Sequence, residues 1–157
     1  MQKIKWKSLL IAIVIPLAVG GFSALLTRGS MQDFAALNQP SLTVPGWVFP
    51  IVWTFLYIIM GIASYLAFES SAGKEEKASG LRIYAVQLGF NFLWSIIFFN
   101  RVMYGFALLW LLALIFLVAV TVARFYHIDR RAGYIMLPYL AWCLFAAYLN
   151  LAIAILN

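Results

Sequence analysis

Three stretches of the chain repeat aromatic, amide or small side chains at four-residue intervals. They are Trp53, Tyr57 and Gly61; Gln87, Asn91 and Ser95; and Trp142, Ala146 and Asn150, with Tyr139 shortly before Trp142. Steps of four return a side chain to the same helix face, so each set forms one stripe. Their chemistry is stacking and uncharged hydrogen bonding. Indole and phenol rings offer flat faces, and amides and hydroxyls donate and accept without bearing charge. The carboxylates Asp33, Glu69, Glu75, Glu76 and Asp129 all fall between the apolar segments. Proton-coupled pumps place ionisable groups within the membrane, and hydrolytic and metal chemistries need groups these stripes lack. His127, beside Arg124, Asp129, Arg130 and Arg131, has no second His or Cys near it and reads as a solvated loop side chain. Cys143, the single cysteine, permits no internal disulfide and reads as a small buried hydrophobe. A large, flat, apolar ligand between aromatic faces is the chemistry that fits.

The elements that must position these stripes lie in a bilayer. The 157 residues are 66% hydrophobic and only 10% charged, with a mean hydropathy of +0.98, whereas a soluble domain carries about 25% charged residues. About 20 apolar residues cross the ~30 Å hydrocarbon layer as a helix. Windows of that length predict an all-α integral membrane protein, a five-helix transmembrane bundle forming one domain over 1–157. The expected spans are 8–26, 47–68, 81–99, 103–123 and 133–156. Nine of the eleven Lys and Arg residues fall on one side of such a bundle: Lys3, Lys5, Lys7, Lys74, Lys77, Arg82, Arg124, Arg130 and Arg131. Only Arg28 and Arg101 flank the other side. The positive-inside rule then predicts a cytoplasmic N-terminus and an external C-terminus in a bacterial cytoplasmic membrane. The same segregation argues against a nucleic-acid partner. A cleaved signal peptide over the first 21 residues is the rival reading. Against it, Ala12, Pro16, Gly20 and Ala24 share a face suited to close helix packing in lipid.

The segment 27–46 is the long external connection. "MQDFAALN" within it has amphipathic helical character, and Pro40 and Pro45 then fix φ and forbid regular helix. Proline lowers the entropy lost on ordering, so this segment reads as a semi-rigid lid over the mouth of span 2. Trp53 and Tyr57 form one wall beneath it. Segment 69–80, "ESSAGKEEKASG", reads as a polar cytoplasmic connector. Span 4 carries almost nothing polar and reads as scaffold. Trp47 reads as an interfacial anchor, and Pro138 is expected to free a carbonyl and kink span 5. The Gln87–Asn91–Ser95 stripe is either interhelical glue, at about 0.6 kcal/mol per contact, or part of a pocket wall beside Trp94. Ala85 and Gly89 form a small-xxx-small pair that can serve either another helix of this chain or a second copy.

Three motifs in order and spacing carry a family resemblance. The first runs Pro45, Trp47, Val48, Phe49, Pro50, Trp53, Thr54, Leu56, Tyr57, Met60, Gly61. The second is Tyr84, Gln87, Leu88, Asn91, Trp94, Ser95, Phe98, Phe99. The third is Leu137, Pro138, Tyr139, Leu140, Trp142, Phe145, Ala146, Leu149, Asn150. Together they resemble the TspO/translocator protein family, also called tryptophan-rich sensory protein or peripheral benzodiazepine receptor. The resemblance implies a membrane binding protein for tetrapyrroles such as protoporphyrin IX or haem, and for benzodiazepine- or isoquinoline-type drugs, acting as sensor or carrier. It implies no required cofactor, contact with membrane lipid, and a homodimer, here through Ala85 and Gly89. Carried over residue by residue, it implies ligand binding by Phe34, Pro45, Trp53, Tyr57, Asn91, Trp94, Trp142, Ala146 and Leu149. Alternative family roles are light-dependent porphyrin breakdown, assisted here by Trp53 and Trp142, and small-molecule transport. The lid departs from the family pattern. Asp33 and Phe34 stand where a Trp-Tyr pair is usual, and 39–45, "QPSLTVP", replaces a run bearing Lys and Trp. Aromatic and basic groups able to stack on a porphyrin or meet its propionates are thereby lost.

Overall fold

A computed structural model describes residues 4–157; Lys3, counted above in the basic flank, lies outside them. The described residues form helices and no strand, in the order α1 (Trp6–Thr27), a 3-10 turn (Arg28–Ser30), α2 (Met31–Ala35), α3 (Val48–Glu69), α4 (Lys74–Ser95), a π-turn (Ile96–Asn100), α5 (Tyr104–Ile128) and α6 (Arg130–Leu156). All but α2 are long and apolar enough to cross a membrane. Contacts between neighbours place them in the cyclic order α1, α3, α6, α5, α4. The pair α5–α6 is the most extensive, and α1 against α4 is among the slightest.

Small residues set the closest approaches. A Cβ at Gly61 would lie 2.5 Å from the Ile13 Cα and 2.6 Å from the Ala12 carbonyl oxygen, and one at Gly20 would overlap the Tyr57 ring. The buried face of α1 is Pro16, Gly20, Ser23 and Thr27; of the stripe expected from sequence, Pro16 and Gly20 are buried, Ala12 is half-buried and Ala24 is exposed. At the basic end the Lys5 amine sits 2.8 Å from Glu69 Oε2, and the Lys5 backbone N–H donates to Tyr65 Oη at 3.0 Å. At the lid end, Asn100 Nδ2 donates to the Leu26 carbonyl at 3.1 Å.

Two connections are shorter than expected from sequence. The polar segment 69–80 is mostly helix, because α4 begins at Lys74. Lys, Glu and Ala are good helix formers, and Glu75 and Glu76 in its first turn complement the helix dipole. Lys77 Nζ also donates to the carbonyls of Phe68 and Ser70, both at 3.1 Å. His127 lies in the last turn of α5 rather than in a loop. Only Asp129 separates α5 from α6, and its carboxylate accepts from the Arg131 backbone N–H at 2.8 Å as the α6 N-cap. Helix α6 runs through Pro138 without interruption.

Candidate functional site

A cavity of about 470 Å³ lies at the lid end among α1, α3, α4 and α6, within the size range of small-molecule sites. Its α3 wall is Phe49, Trp53 and Tyr57, and its α4 wall is Trp94 and Ser95. Helix α6 contributes Trp142, Ala146 and Leu149; α1 contributes Gly20, Ser23, Ala24 and Thr27. Phe34 with Thr43, Val44 and Gly46 lines the cavity from the lid.

The rings form a connected box. Trp53 lies 5.6 Å from Tyr57 and 6.5 Å from Trp94, centroid to centroid. Phe49 meets Trp142 at 5.9 Å. Phe34 reaches down from α2 to Phe98 at 5.7 Å and Phe99 at 5.3 Å. Adjacent residues diverge by about 100° in an α-helix, yet Phe98 and Phe99 both line the cavity. They sit on the π-turn, one four-residue step beyond Trp94 and Ser95, the adjacent pair that lines the cavity from the end of α4.

The lid is tied down by polar contacts. The Asn38 backbone N–H donates to Asn157 Oδ1 at 3.0 Å, and Asn157 Nδ2 returns a bond to the Asn38 carbonyl at 3.2 Å. Ser30 Oγ and Asn100 Oδ1 are 2.8 Å apart. These bonds join the loop to the lid ends of α6 and the π-turn.

Beneath the cavity runs a buried relay. Tyr57 Oη donates to Asn91 Oδ1 at 2.7 Å, Asn91 Nδ2 donates to Tyr139 Oη at 3.1 Å, and Tyr139 Oη donates to Gln87 Oε1 at 2.8 Å. A second chain runs from Trp94 Nε1 to Asn150 Oδ1 at 3.2 Å and from Asn150 Nδ2 to the Tyr104 carbonyl at 2.8 Å. These bonds pair the amides of Asn91 and Asn150, which would be costly unpaired in lipid. The buried Gln87 Nε2 and the Trp142 indole N–H have no hydrogen-bond partner within the protein.

Seven of the nine ligand-binding positions expected from sequence line the cavity: Phe34, Trp53, Tyr57, Trp94, Trp142, Ala146 and Leu149. Two do not. Pro45 is exposed, and its carbonyl accepts from the Val48 N–H at 2.9 Å, so it starts α3 while its neighbours Val44 and Gly46 face the cavity. Asn91 is buried and spends its amide on two tyrosines, so it supports the wall from behind. The lining also includes Phe49 and Phe99, which continue the stripes by one four-residue step before Trp53 and after Ser95, and Phe98, which follows Trp94 by the same step. Ala85 and Gly89 are exposed, and nothing lies within 4 Å of a Cβ built on Gly89. Their face is therefore not used inside this chain. No cluster of His, Cys, Asp or Glu able to hold a metal occurs among the described residues.

Residues 12–156 match the model of the TspO/MBR family. The chain is 37% identical over 150 residues to the Tryptophan-rich protein TspO of Archaeoglobus fulgidus, covering 95% of this chain and 96% of that one. It is 37% identical over 121 residues to the Tryptophan-rich sensory protein of Cereibacter sphaeroides, covering 77% and 74%. Against the human Translocator protein it is 38% identical over 121 residues, covering 76% and 72%.

Proposed function

The chain belongs to the TspO/MBR family, and on that premise we propose that it binds tetrapyrroles and similar planar apolar ligands in the cytoplasmic membrane, acting as a sensor or carrier. Its basic end would face the cytoplasm and its lid the exterior. The observation that carries this reading is the aromatic box beneath the tied lid, with the unpartnered Trp142 N–H as a donor for a ligand acceptor. Drug-like planar ligands of the benzodiazepine or isoquinoline type fit the same chemistry. Ala85 and Gly89 would serve a homodimer.

Titration of tryptophan fluorescence with protoporphyrin IX tests the site. Stacking is worth about 1–3 kcal/mol per ring, so Trp53→Ala or Trp142→Ala should weaken binding by about 5- to 140-fold. Trp110→Ala should leave affinity nearly unchanged, because Trp110 stacks on Phe90 at 4.4 Å and donates to its carbonyl at 3.0 Å, between α5 and α4. Equal losses at all three positions would refute the assigned pocket. Light-dependent loss of bound porphyrin with a protein-dependent product would replace the sensor or carrier role by porphyrin breakdown.

A further inference from the structure

We propose that the outer face of the α5–α6 turn binds the phosphate of an anionic phospholipid, with Arg130 as the cation and Tyr126 and Tyr134 beside it. The site lies at the basic end, away from the pocket, and does not depend on what the pocket holds.

The turn is short and tightly packed. Only Asp129 separates the two helices, and Gly133 lets them close, because a Cβ there would lie between 2.6 and 2.8 Å from the Cβ, Cα and N of Tyr126. That approach sets the Tyr126 ring edge-on to Tyr134, at 5.5 Å and 89°, and the His127 ring stands beside it at 6.1 Å. The Arg130 guanidinium carbon lies over the Tyr126 ring, 5.8 Å from its centroid. Arg130 and Tyr134 are one turn apart on the same face of α6, and both are exposed. The cation is thus oriented by a ring while its N–H groups remain open to a ligand. A guanidinium held in this way presents the planar fork that phosphate oxygens accept in pairs.

Charge accounting singles out Arg130 among the cations of the basic end. Lys5 pairs with Glu69, Lys77 donates to the carbonyls of Phe68 and Ser70, and Lys74 is followed at once by Glu75 and Glu76. The Asp129 carboxylate is engaged by its own helix: Oδ1 accepts from the Arg131 N–H at 2.8 Å and lies 3.7 Å from Arg131 Nε. Arg130 forms no ion pair among the described residues. Deeper in the membrane the same seam offers an acyl chain a track. Ala123 and Ala119 lie one and two turns below Tyr126 on its face of α5, and Leu137 and Pro138 lie one turn below Tyr134 on α6. All four are apolar and exposed. A free anion gains nothing from that track, whereas a phospholipid uses both halves of the site. Tyrosine rings at the membrane interface suit the same ligand, with apolar bodies toward the chains and hydroxyls toward the headgroups.

Native mass spectrometry of the protein in detergent micelles tests the site, with phosphatidylglycerol, phosphatidylcholine and inorganic phosphate titrated separately. Phosphatidylglycerol should give one saturable adduct per chain at concentrations where the other two give none. Arg130→Gln should weaken that adduct about fivefold or more, since one interfacial cation is worth about 1 kcal/mol. Arg130→Lys, which keeps the charge and loses the fork, should fall between Arg130→Gln and the wild type. Tyr134→Leu, at an exposed position outside the tight turn, should also weaken the adduct by removing one ring. Arg124 is exposed too but lies about 200° round α5 from Tyr126 at 100° per residue, so Arg124→Gln should cost less than about twofold. Equal losses in Arg124→Gln and Arg130→Gln would reveal diffuse attraction to the whole basic end and overturn the site. Phosphatidylcholine binding as tightly as phosphatidylglycerol would overturn it as well. An inorganic phosphate adduct of equal affinity would make this a free-anion site and overturn the lipid assignment.

Discussion

Asn91 separates a ligand contact from a structural hub, and Asn91→Leu is the perturbation that decides. The substitution removes both hydrogen bonds of the amide, the 2.7 Å bond from Tyr57 and the 3.1 Å bond to Tyr139. Tyr139 keeps its bond to Gln87 at 2.8 Å, whereas the Tyr57 hydroxyl is left without its acceptor. Interhelical hydrogen bonds in membrane proteins average about 0.6 kcal/mol, so the two bonds amount to about 1.2 kcal/mol. An orphaned buried hydroxyl adds about 1–3 kcal/mol. The expected loss is therefore about 2–4 kcal/mol of stability, read by unfolding in mixed micelles. Tyr57→Phe alone should likewise cost about 2–4 kcal/mol, because it removes the donor to the buried Asn91 Oδ1. Added to Asn91→Leu it should restore stability, because the orphan disappears with it. Affinity for protoporphyrin IX should change little in Asn91→Leu, since Asn91 is not part of the cavity lining. A stable Asn91→Leu protein that no longer binds would refute the hub and make the amide a ligand contact.

The close approach of α1 to α3 predicts that Gly61→Ala, whose Cβ would press on the Ile13 and Ala12 backbone, destabilises by about 1–3 kcal/mol. Gly21→Ala, which meets nothing within 4 Å, should be neutral or stabilising in the same unfolding assay. Reporter fusions at Asn157 should show an external tail; a cytoplasmic tail would invert the proposed orientation of the lid. Gly89→Leu should shift the protein toward monomer in detergent while ligand binding survives, and a dimer that persists would move the interface off α4.

The stripes were legible in the sequence because a four-residue repeat persists wherever the helix stays regular. Trp53 with Tyr57 and Trp142 with Ala146 therefore reached their walls as read. Phe49 and Phe99 continue the same repeats by one step and Phe98 follows Trp94 at four residues, but that these rings meet under the lid depends on Phe34 reaching down to all three, a tertiary property. The α1 stripe was legible as a packing surface, but its second role as a pocket wall depends on how far Gly20 lets Tyr57 approach, which is a tertiary property. Asn91 lies behind the wall rather than in the lining, because its spacing gives its face but not its depth. Pro45 stands outside the lining between Val44 and Gly46, because one step along a loop changes direction without any periodic signal. The polar composition of 74–80 hid a helical turn whose stability comes from Glu75, Glu76 and the Lys77 contacts.

The uncharged pocket fixes how the proposed ligands would be held. None of its lining residues is Asp, Glu, Lys, Arg or His. A carboxylate drawn into such an apolar box would lose its hydration without gaining a counter-charge, a cost of several kcal/mol or more. One hydrogen bond from the Trp142 N–H, worth about 1.5–3 kcal/mol to a charged acceptor, does not offset two such groups. Stacking on Trp53, Trp94 and Trp142 is indifferent to charge and contributes about 1–3 kcal/mol per ring. On the proposed reading, a tetrapyrrole therefore buries its macrocycle and keeps its propionates at the lid mouth, where water and the exposed Arg28 can solvate them. A neutral planar ligand has no such constraint and can sit deeper or reversed. With no charged side chain in the cavity lining, recognition on this reading rests on shape rather than charge, and selectivity among planar ligands falls to the fit of their faces between the three tryptophans.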